Sequence, residues 1–362
     1  MQDVTTAVIG TGANPDEPSV DGFAMGYRHA EAYQSKDGCE LVACADLVRE
    51  NALAFANTFD ISEDGVFEDY REMIAEAAPD LVSICVPPAA HAELVIGAAE
   101  AGVKAIHCEK PMAMTWGEAR LMAEVCDEEG VQLTFNHQRR FLPPFPEARR
   151  RLDAGEIGDL VRIEYSWGNF FDNGTHAIDM CNYFNAETPA EWVLAQLDYE
   201  EADVRFGTHN ENQMLALWKY ENGVYGQAIT GPGADASPGD WRLLGTDGVI
   251  EVSLVDELAL RIRRYDDPEV ETIEYERSGN SIELAIADVV ESVRTGEESG
   301  LCARNALNAT QIIFGGYESA RSRRKVEFPL SVEDNPLESM VAAGQLEPNG
   351  VEMCQPGPQS AD

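Results

Sequence analysis

Basic side chains are scarce in this sequence. Its 362 residues include 26 lysines and arginines, of which five are lysines, against 65 aspartates and glutamates, for a formal net charge of -39. A surface of this sign repels the phosphate backbone of nucleic acid, so we expect no nucleic-acid partner. The acids are spread along the chain, which predicts a coat of carboxylates that repel one another in dilute salt and are screened in concentrated salt. We interpret the charge as adaptation to the salt-rich cytoplasm of a halophile; an ordinary acidic protein is the alternative.

Long apolar runs are also missing. No segment approaches the roughly 20 consecutive apolar residues of a membrane-spanning helix, and the first residues lack the basic and apolar regions of a secretory signal. We therefore expect a cytoplasmic protein with no membrane partner. The eight cysteines form no CxxC pair, which indicates free thiols in a reducing compartment and predicts no metal site.

The first third of the chain alternates short apolar runs with segments of helical periodicity. This alternation is typical of a parallel sheet wrapped by helices. We predict strands at 4–9, 39–45, 81–86, 104–108 and 131–135, with helices at 26–35, 49–58, 70–77, 90–101 and 116–129. Residues 1–135 are therefore predicted to form an α/β, doubly wound dinucleotide-binding domain of the Rossmann type.

The pattern changes after residue 135. One helix at 144–154 is followed by seven predicted strands between 160 and 265, and helices return only at 282–295 and 304–322. Strands without interleaved helices predict an α+β domain over 136–330 with an open, mostly antiparallel sheet. From residue 331 the chain is rich in proline, glycine and acids, which predicts an extended or disordered tail over 331–362.

A glycine pair follows the first predicted strand. Gly10 and Gly12 let the backbone turn tightly and approach a pyrophosphate at a helix N-terminus, although a simple strand-turn-helix is the alternative. The third glycine of the usual fingerprint is displaced to Gly26 by an insertion at 13–25. Asp46 ends the second strand, where a carboxylate binds the adenosine ribose and repels a 2'-phosphate, so NAD is favoured. Arg49, three residues later, is a cation that can bind a 2'-phosphate, so NADP stays an alternative cofactor.

Two further motifs carry proton-transfer chemistry. Glu109 and Lys110 follow a strand at the carboxyl edge of the sheet, where a partly desolvated lysine can hold or donate a proton; a surface turn with a salt bridge is the alternative. Asp172 precedes His176 by four residues and Asp179 follows it by three, so on a helix all three would share one side. That pattern fits a histidine oriented for proton transfer. The alternative is a helix whose N-terminus Asp172 caps, with His176 only packing in the core.

Taken together, these motifs resemble the Gfo/Idh/MocA family, the relatives of glucose-fructose oxidoreductase and inositol dehydrogenase. The resemblance extends to about residue 328 and includes the segment 80–87 with His91, the Arg139-Arg140-Phe141 run and the glycines of 155–158. It departs from the family in the 13–25 insertion and at Pro88, where an asparagine is common.

The resemblance implies roles for individual residues. Lys110 would contact the nicotinamide and the reacting hydroxyl, His176 would exchange the hydroxyl proton, and Asp172 would position the substrate or the histidine. Pro87, His91 and Glu109 would join the glycines in the cofactor site. Arg139 and Asp179 would complete the substrate site.

The same resemblance implies an activity. We expect hydride transfer between NAD or NADP and a hydroxyl-bearing carbon of a sugar, inositol or other polyol, in a homodimer or homotetramer formed through the open sheet. Two rivals remain: a family member that uses NAD transiently for glycoside cleavage, and a non-catalytic sensor of dinucleotide or sugar. The presence of Lys110, Asp172 and His176 together favours an enzyme.

Overall fold

The computed structural model describes residues 3–14, 24–234, 239–254, 258–276 and 280–350. Most of the 13–25 insertion and the last twelve residues of the predicted tail therefore lie outside the described residues. No helix in the described part is long and apolar enough to cross a membrane.

The first sheet has six parallel strands in the order β3-β2-β1-β4-β5-β6. Its strands are β1 (Val4–Ile9), β2 (Cys39–Ala45), β3 (Val66–Phe67), β4 (Leu81–Ile84), β5 (Ala105–Cys108) and β6 (Gln132–Phe135). Its helices are α1 (Met25–Gln34), α2 (Arg49–Thr58), α3 (Tyr70–Ala77), α4 (His91–Glu100) and α5 (Trp116–Glu129). The strand order reverses between β1 and β4, and in such sheets ligands bind in the crevice beyond the carboxyl ends of those two strands.

The second sheet has nine strands in the order β16-β15-β14-β13-β7-β12-β11-β8-β17. Its strands are β7 (Leu160–Tyr165), β8 (Ala190–Asp198), β11 (Gln213–Tyr220), β12 (Tyr225–Ile229), β13 (Trp241–Gly245), β14 (Gly248–Ser253), β15 (Ala259–Arg264), β16 (Val270–Glu274) and β17 (Val326–Glu327), while β9 (Asp203–Arg205) and β10 (Thr208–Asn210) form a separate hairpin. Of the pairings within the nine-stranded sheet, β7 with β12 is parallel and the others described are antiparallel. The predicted fold class is confirmed.

Helices cover one face of this second sheet. They are α6 (Pro144–Asp153), α7 (Gly174–Phe184) and α9 (Ala303–Ser322). Alternation along the strands explains the burial: Met214, Ala216 and Trp218 of β11 point into the core, whereas Leu215 between them is 58% exposed. The opposite face of the sheet is thus left open in the described structure.

Helix α8 (Ser281–Thr295) lies within the predicted second domain but packs on the first. Its Ile282, Ile286 and Val289 join an apolar cluster with Tyr27 and Ala30 of α1. The chain therefore returns to the dinucleotide-binding domain after building most of the second sheet. Sequence order alone does not reveal this return.

The tail prediction is wrong for part of its length. Residues Pro336–Ala342 form a helix, α10, whose first turn is capped by the Asn335 side chain accepting from the amides of Leu337 and Glu338. Leu337 and Met340 are buried in the main core. A short capped helix with two apolar anchors can form inside a segment whose average composition is polar, and composition alone misses it.

Candidate active site

The glycine loop after β1 has the shape that a dinucleotide requires. Gly10 has φ +84°, and a Cβ there would lie 2.4 Å from a Val86 side-chain carbon. Gly12 has φ +68°, and no atom of the described residues lies within 4 Å of where its Cβ would be. Among those residues, no side chain caps the start of α1. A pyrophosphate fits there, because uncapped amides at a helix N-terminus bind anions.

Gly26 supplies the close approach that the displaced third glycine normally provides. A Cβ on Gly26 would lie 2.8 Å from the carbonyl oxygen of Gly10 and 3.0 Å from that of Thr11. Helix α1 therefore packs directly on the glycine loop, as the fingerprint demands of its third glycine. The insertion changes the spacing in the sequence while preserving this contact.

Asp46 lies beside the same loop. Its Oδ2 accepts hydrogen bonds from the Gly12 amide at 2.9 Å and the Thr11 hydroxyl at 3.1 Å, and its Oδ1 accepts from the Val48 amide at 2.9 Å. A carboxylate oxygen has a second lone pair, so the ribose hydroxyls can still be bound. Arg49 contacts Glu68 only loosely, at 3.8 Å between two exposed side chains.

Glu109 belongs to a buried polar network. Its Oε1 lies 3.0 Å from Nε2 of His29 and accepts from the Asn136 amide at 2.7 Å. Burial opposes ionisation of this carboxyl, but the hydrogen bonds and charge around it outweigh burial and lower its pKa to about 2. Glu109 therefore fixes the backbone that carries Lys110, and its contact with the cofactor stays a prediction.

His91 is also held by buried hydrogen bonds. It is fully buried, with Nδ1 2.9 Å from the Pro111 carbonyl and Nε2 2.9 Å from the Val86 carbonyl. Burial lowers its pKa despite these contacts. The ring ties the segment after β4 to the segment after β5, whereas Pro87 is exposed. A contact of either residue with the cofactor stays a prediction.

Lys110 and Asp172 meet at the boundary of the two sheets. The Lys110 ammonium lies 2.7 Å from Oδ1 of Asp172, and their side chains are 21% and 11% exposed. Asn210 accepts from the Asp172 amide at 3.2 Å, and Arg205 on the β9-β10 hairpin reaches Oδ2 at 3.5 Å. Asp172 precedes α7, whose N-cap is Asn173. The alternative in which Asp172 caps the helix is therefore wrong.

His176 lies in the first turns of α7 and is 3% exposed. Burial lowers its pKa well below the ordinary 6.5, and the nearby charges of Arg139 and Lys110 lower it further. Its Nδ1 atom is buried and has no hydrogen-bond partner in the described structure. The ring of His137 lies edge-on to it, with centroids 5.7 Å apart. His176 is thus a neutral imidazole with free hydrogen-bonding capacity.

Asp179 does not share the side of Asp172. Its carboxylate accepts from Arg140 at 2.7 Å and 2.5 Å, lies 3.0 Å from Nδ1 of His137, and is 1% exposed. Arg140 and His137 outweigh the effect of burial and hold its pKa at about 2. Because α7 begins only at Gly174, Asp172 lies outside the helix and the expected common face does not form. The contacts of Asp179 are those of a positioning group.

Arg139 reaches the same region from the turn after β6. Its guanidinium carbon lies 4.2 Å from the centre of the Trp167 ring. Burial lowers its pKa to about 10, against the opposing charges of Asp172 and Asp240, so it stays charged at neutral pH. Its Nη1 atom is buried and has no hydrogen-bond partner in the part of the chain that the structure describes.

Sequence reasoning missed several residues of this site. They are Asn136, His137, Trp167 and Arg205. Asn136 and His137 follow β6 directly, at the carboxyl edge where ligands bind, so their position was a usable signal. Nothing in the sequence near Trp167 or Arg205 indicates that the second domain brings them to Arg139 and Asp172.

A glycine-lined loop at the switch point of a parallel sheet, next to a lysine, an aspartate and a neutral histidine, defines the class of dinucleotide-dependent oxidoreductases. A family model described as "Oxidoreductase family, NAD-binding Rossmann fold" matches residues 5–137, and its companion, "Oxidoreductase family, C-terminal alpha/beta domain", matches residues 161–328. Together they cover more than half of the chain. The chain belongs to the Gfo/Idh/MocA oxidoreductase family.

Individual relatives agree with this placement. The chain is 32% identical over 175 residues to scyllo-inositol 2-dehydrogenase (NAD(+)) of Bacillus subtilis, a match that covers 44% of this chain and half of that protein. It is 26% identical over 308 residues to the rhizopine catabolism protein MocA of Rhizobium meliloti, covering 80% and 89%. Aldose-aldose oxidoreductase from Caulobacter crescentus, solved with glycerol, shares the fold, with a TM-score of 0.75 at 19% identity over 90% of this chain and all of that one.

Proposed function

We propose that this protein oxidises or reduces a hydroxyl-bearing carbon of a sugar, inositol or related polyol, with Lys110, Asp172 and His176 at the reacting centre. The observation that carries the proposal is the Lys110–Asp172 pair at 2.7 Å beside an unpartnered, neutral His176. The names of the relatives support the substrate class, since one is an inositol dehydrogenase and another acts between aldoses.

NAD or NADP would be held by the glycine loop and Asp46, with NAD favoured, and its nicotinamide would exchange a hydride with the substrate carbon. In the oxidative direction His176 takes the proton of the substrate hydroxyl. It is suited to this because burial and two neighbouring cations keep it unprotonated. The Lys110 ammonium stabilises the negative charge that develops on the oxygen, and Asp172 fixes the ammonium through their ion pair.

A lysine exchange tests this assignment. We expect Lys110→Ala to lower kcat by about 100- to 10,000-fold and to leave the Kd for NAD+ nearly unchanged. Lys104→Ala is a matched control, because Lys104 also pairs with an aspartate, Asp80, but is 74% exposed at the surface. Both variants are assayed at 340 nm with NAD+ and NADP+ against a panel of sugars and inositols.

Turnover of Lys110→Ala near that of the control would remove Lys110 from the mechanism. Product release from a glycoside without net cofactor reduction would favour the glycoside-cleaving rival. Cofactor binding without any chemistry across the panel would favour the sensor.

We also propose that the open face of the second sheet forms the interface of a homodimer or homotetramer. Leu194 and Leu215 on adjacent strands are 46% and 58% exposed there, and Leu217 lies between them in register with Leu194. Light scattering on Leu215→Glu tests this, with Leu121→Glu as control, since Leu121 is 48% exposed on α5. We expect Leu215→Glu to dissociate the oligomer and Leu121→Glu to leave it intact. An unchanged molecular mass of Leu215→Glu, or a monomeric wild type, would contradict the proposal.

The charge of -39 supports a further proposal, that the protein works in a salt-rich cytoplasm. The Debye length falls from about 10 Å at 0.1 M salt to about 3 Å at 1 M, so neighbouring carboxylates cease to repel. We expect the melting temperature to rise strongly with potassium chloride and little with sucrose, which strengthens apolar burial but screens nothing. Full stability in dilute buffer would contradict this.

A further inference from the structure

Three cationic side chains converge on one carboxylate in a chain that has few cations. Lys110 contacts Oδ1 of Asp172 at 2.7 Å, Arg205 lies 3.5 Å from Oδ2, and the charge of Asp172 also acts on Arg139. Asp203 contacts Arg205 at 3.0 Å and Asp240 lies near Arg139, so three carboxylates face the three cations and the formal charges balance.

Arg139 is the member of this cluster that the protein leaves unsatisfied. Its guanidinium carbon lies over the Trp167 ring at 4.2 Å from the ring centre, a contact that limits its movement, and its buried Nη1 has no acceptor among the described residues. A buried donor without a partner costs free energy, and such atoms in native structures call for an explanation at the functional site. The neighbouring Arg140, by contrast, is fully engaged by Asp179, Glu187 and the Gly300 carbonyl.

The position of Arg139 relates this free donor to the reacting centre. Its charge lowers the pKa of His176 and is itself acted on by that of Asp172, so Arg139 belongs to the surroundings of the reacting centre, and we infer that one substrate molecule contacts both Arg139 and His176. A planar guanidinium is suited to a carboxylate, whose two oxygens match its fork and whose charge makes the hydrogen bonds stronger than those to a neutral hydroxyl.

We propose that the substrate is a sugar acid, a polyol that carries a carboxylate besides the hydroxyl that reacts, and that Arg139 binds this carboxylate with Arg205 closing over it. Arg205 is placed for this role by the β9-β10 hairpin, which α10 holds through a 2.7 Å hydrogen bond from the His209 amide to Glu338. The inference rests on the proposed oxidoreductase function and narrows its substrate class.

Matched pairs of acids and neutral parents test the inference. We would compare D-glucuronate with D-glucose, D-galacturonate with D-galactose, and D-gluconate with D-glucitol, as NAD+-dependent substrates and, by calorimetry, as ligands of the enzyme saturated with NADH. We expect the acids to be preferred at least tenfold in kcat/KM or Kd. Sugar phosphates form a fourth arm, and their preference over the carboxylates would overturn the proposal.

Variants locate the carboxylate. In Arg139→Gln we expect a roughly 10- to 100-fold rise in the KM or Kd for the acid, with the Kd for NAD+ changed little and with partial recovery in Arg139→Lys. Arg304→Gln is the control, because Arg304 is 65% exposed and pairs with the exposed Glu298.

The possible outcomes distinguish the sugar-acid inference from the proposed oxidoreductase function. Equal use of neutral and acidic partners would overturn the sugar-acid inference and leave the oxidoreductase function intact. Acid binding without turnover, lost in Arg139→Gln, would support the inference while counting against the proposed reaction. A panel in which no acid binds or reacts overturns it.

Discussion

Replacement of Asp179 by asparagine tests whether this residue holds the structure or binds the substrate. The carboxylate compensates Arg140 through contacts at 2.7 Å and 2.5 Å and orients His137 at 3.0 Å, all three side chains being at most 5% exposed. Removing one partner of a buried ion pair costs about 3–5 kcal/mol, because the other charge stays buried. Glu187 remains 2.6 Å from Arg140, so the lower half of that range is expected.

The assay is thermal unfolding together with steady-state kinetics at pH 7. With an unfolding entropy of about 2.1 cal/mol/K per residue, a loss of about 3–4 kcal/mol lowers Tm by roughly 4–5 °C for a chain of this size. Asp153→Asn is the control, because the Arg149–Asp153 pair has a similar 2.9 Å contact but Asp153 is 59% exposed, and such pairs contribute under about 1 kcal/mol. A raised KM for the substrate with Tm within about 1 °C of wild type would refute the positioning role and restore Asp179 as a substrate ligand.

Three further amino-acid substitutions test the site and its surroundings. Because burial lowers the pKa of His176 well below 6.5, the oxidation rate should stay level as the pH falls through 6.5 and decline only in more acidic buffer. His176→Asn should remove this acidic limb of the pH–rate profile and most of the rate. An unchanged pH profile would exclude His176 as the base. Asp46→Ala should raise the KM for NAD+ and narrow the preference for NAD+ over NADP+, whereas equal effects on both cofactors would contradict its ribose contact. Burial raises the pKa of Glu211 from 4.5 to about 7 despite its hydrogen bonds, so between these pH values the folded state keeps a proton that the unfolded chain releases, and the free energy of unfolding falls as the pH rises. At about 1.4 kcal/mol per pKa unit this fall amounts to roughly 3 kcal/mol, and Glu211→Gln should abolish it. Parallel curves of stability against pH for the two proteins would contradict this.

The dinucleotide-binding domain was predictable because its signals are local. Strands β1 and β2 and helices α2, α3 and α5 begin and end at the predicted residues, since each has a periodic apolar pattern bounded by turn residues or a cap. Strand β3 was missed because two residues carry no periodicity. The returning helix α8 could be predicted as a helix but not placed, because the sequence does not say which core its apolar side joins.

Residues of the site were predictable only where a reactive side chain directly follows a strand or helix that the sequence itself indicates. Lys110 follows β5, and the structure brings it to Asp172 beside His176. The predicted common face of Asp172 and Asp179 was wrong because α7 begins at Gly174, two residues after Asp172. Its true partner, Arg140, comes from a turn 39 residues earlier in the chain, and no local pattern reports such a contact.

In a chain with 65 acids and 26 bases, a carboxylate near a histidine carries little information, because acids occur everywhere on the surface. A cation carries more. Arg140 is paired with two carboxylates in the core and serves the fold, whereas Lys110, Arg139 and Arg205 lie around Asp172, and Nη1 of Arg139 has no acceptor among the described residues. For highly acidic proteins of this family, the lysines and arginines that the structure draws together should therefore identify the substrate site better than the carboxylates do. The prediction for this chain is that charge removal at Arg139 changes substrate choice, while charge removal at Arg140 changes stability.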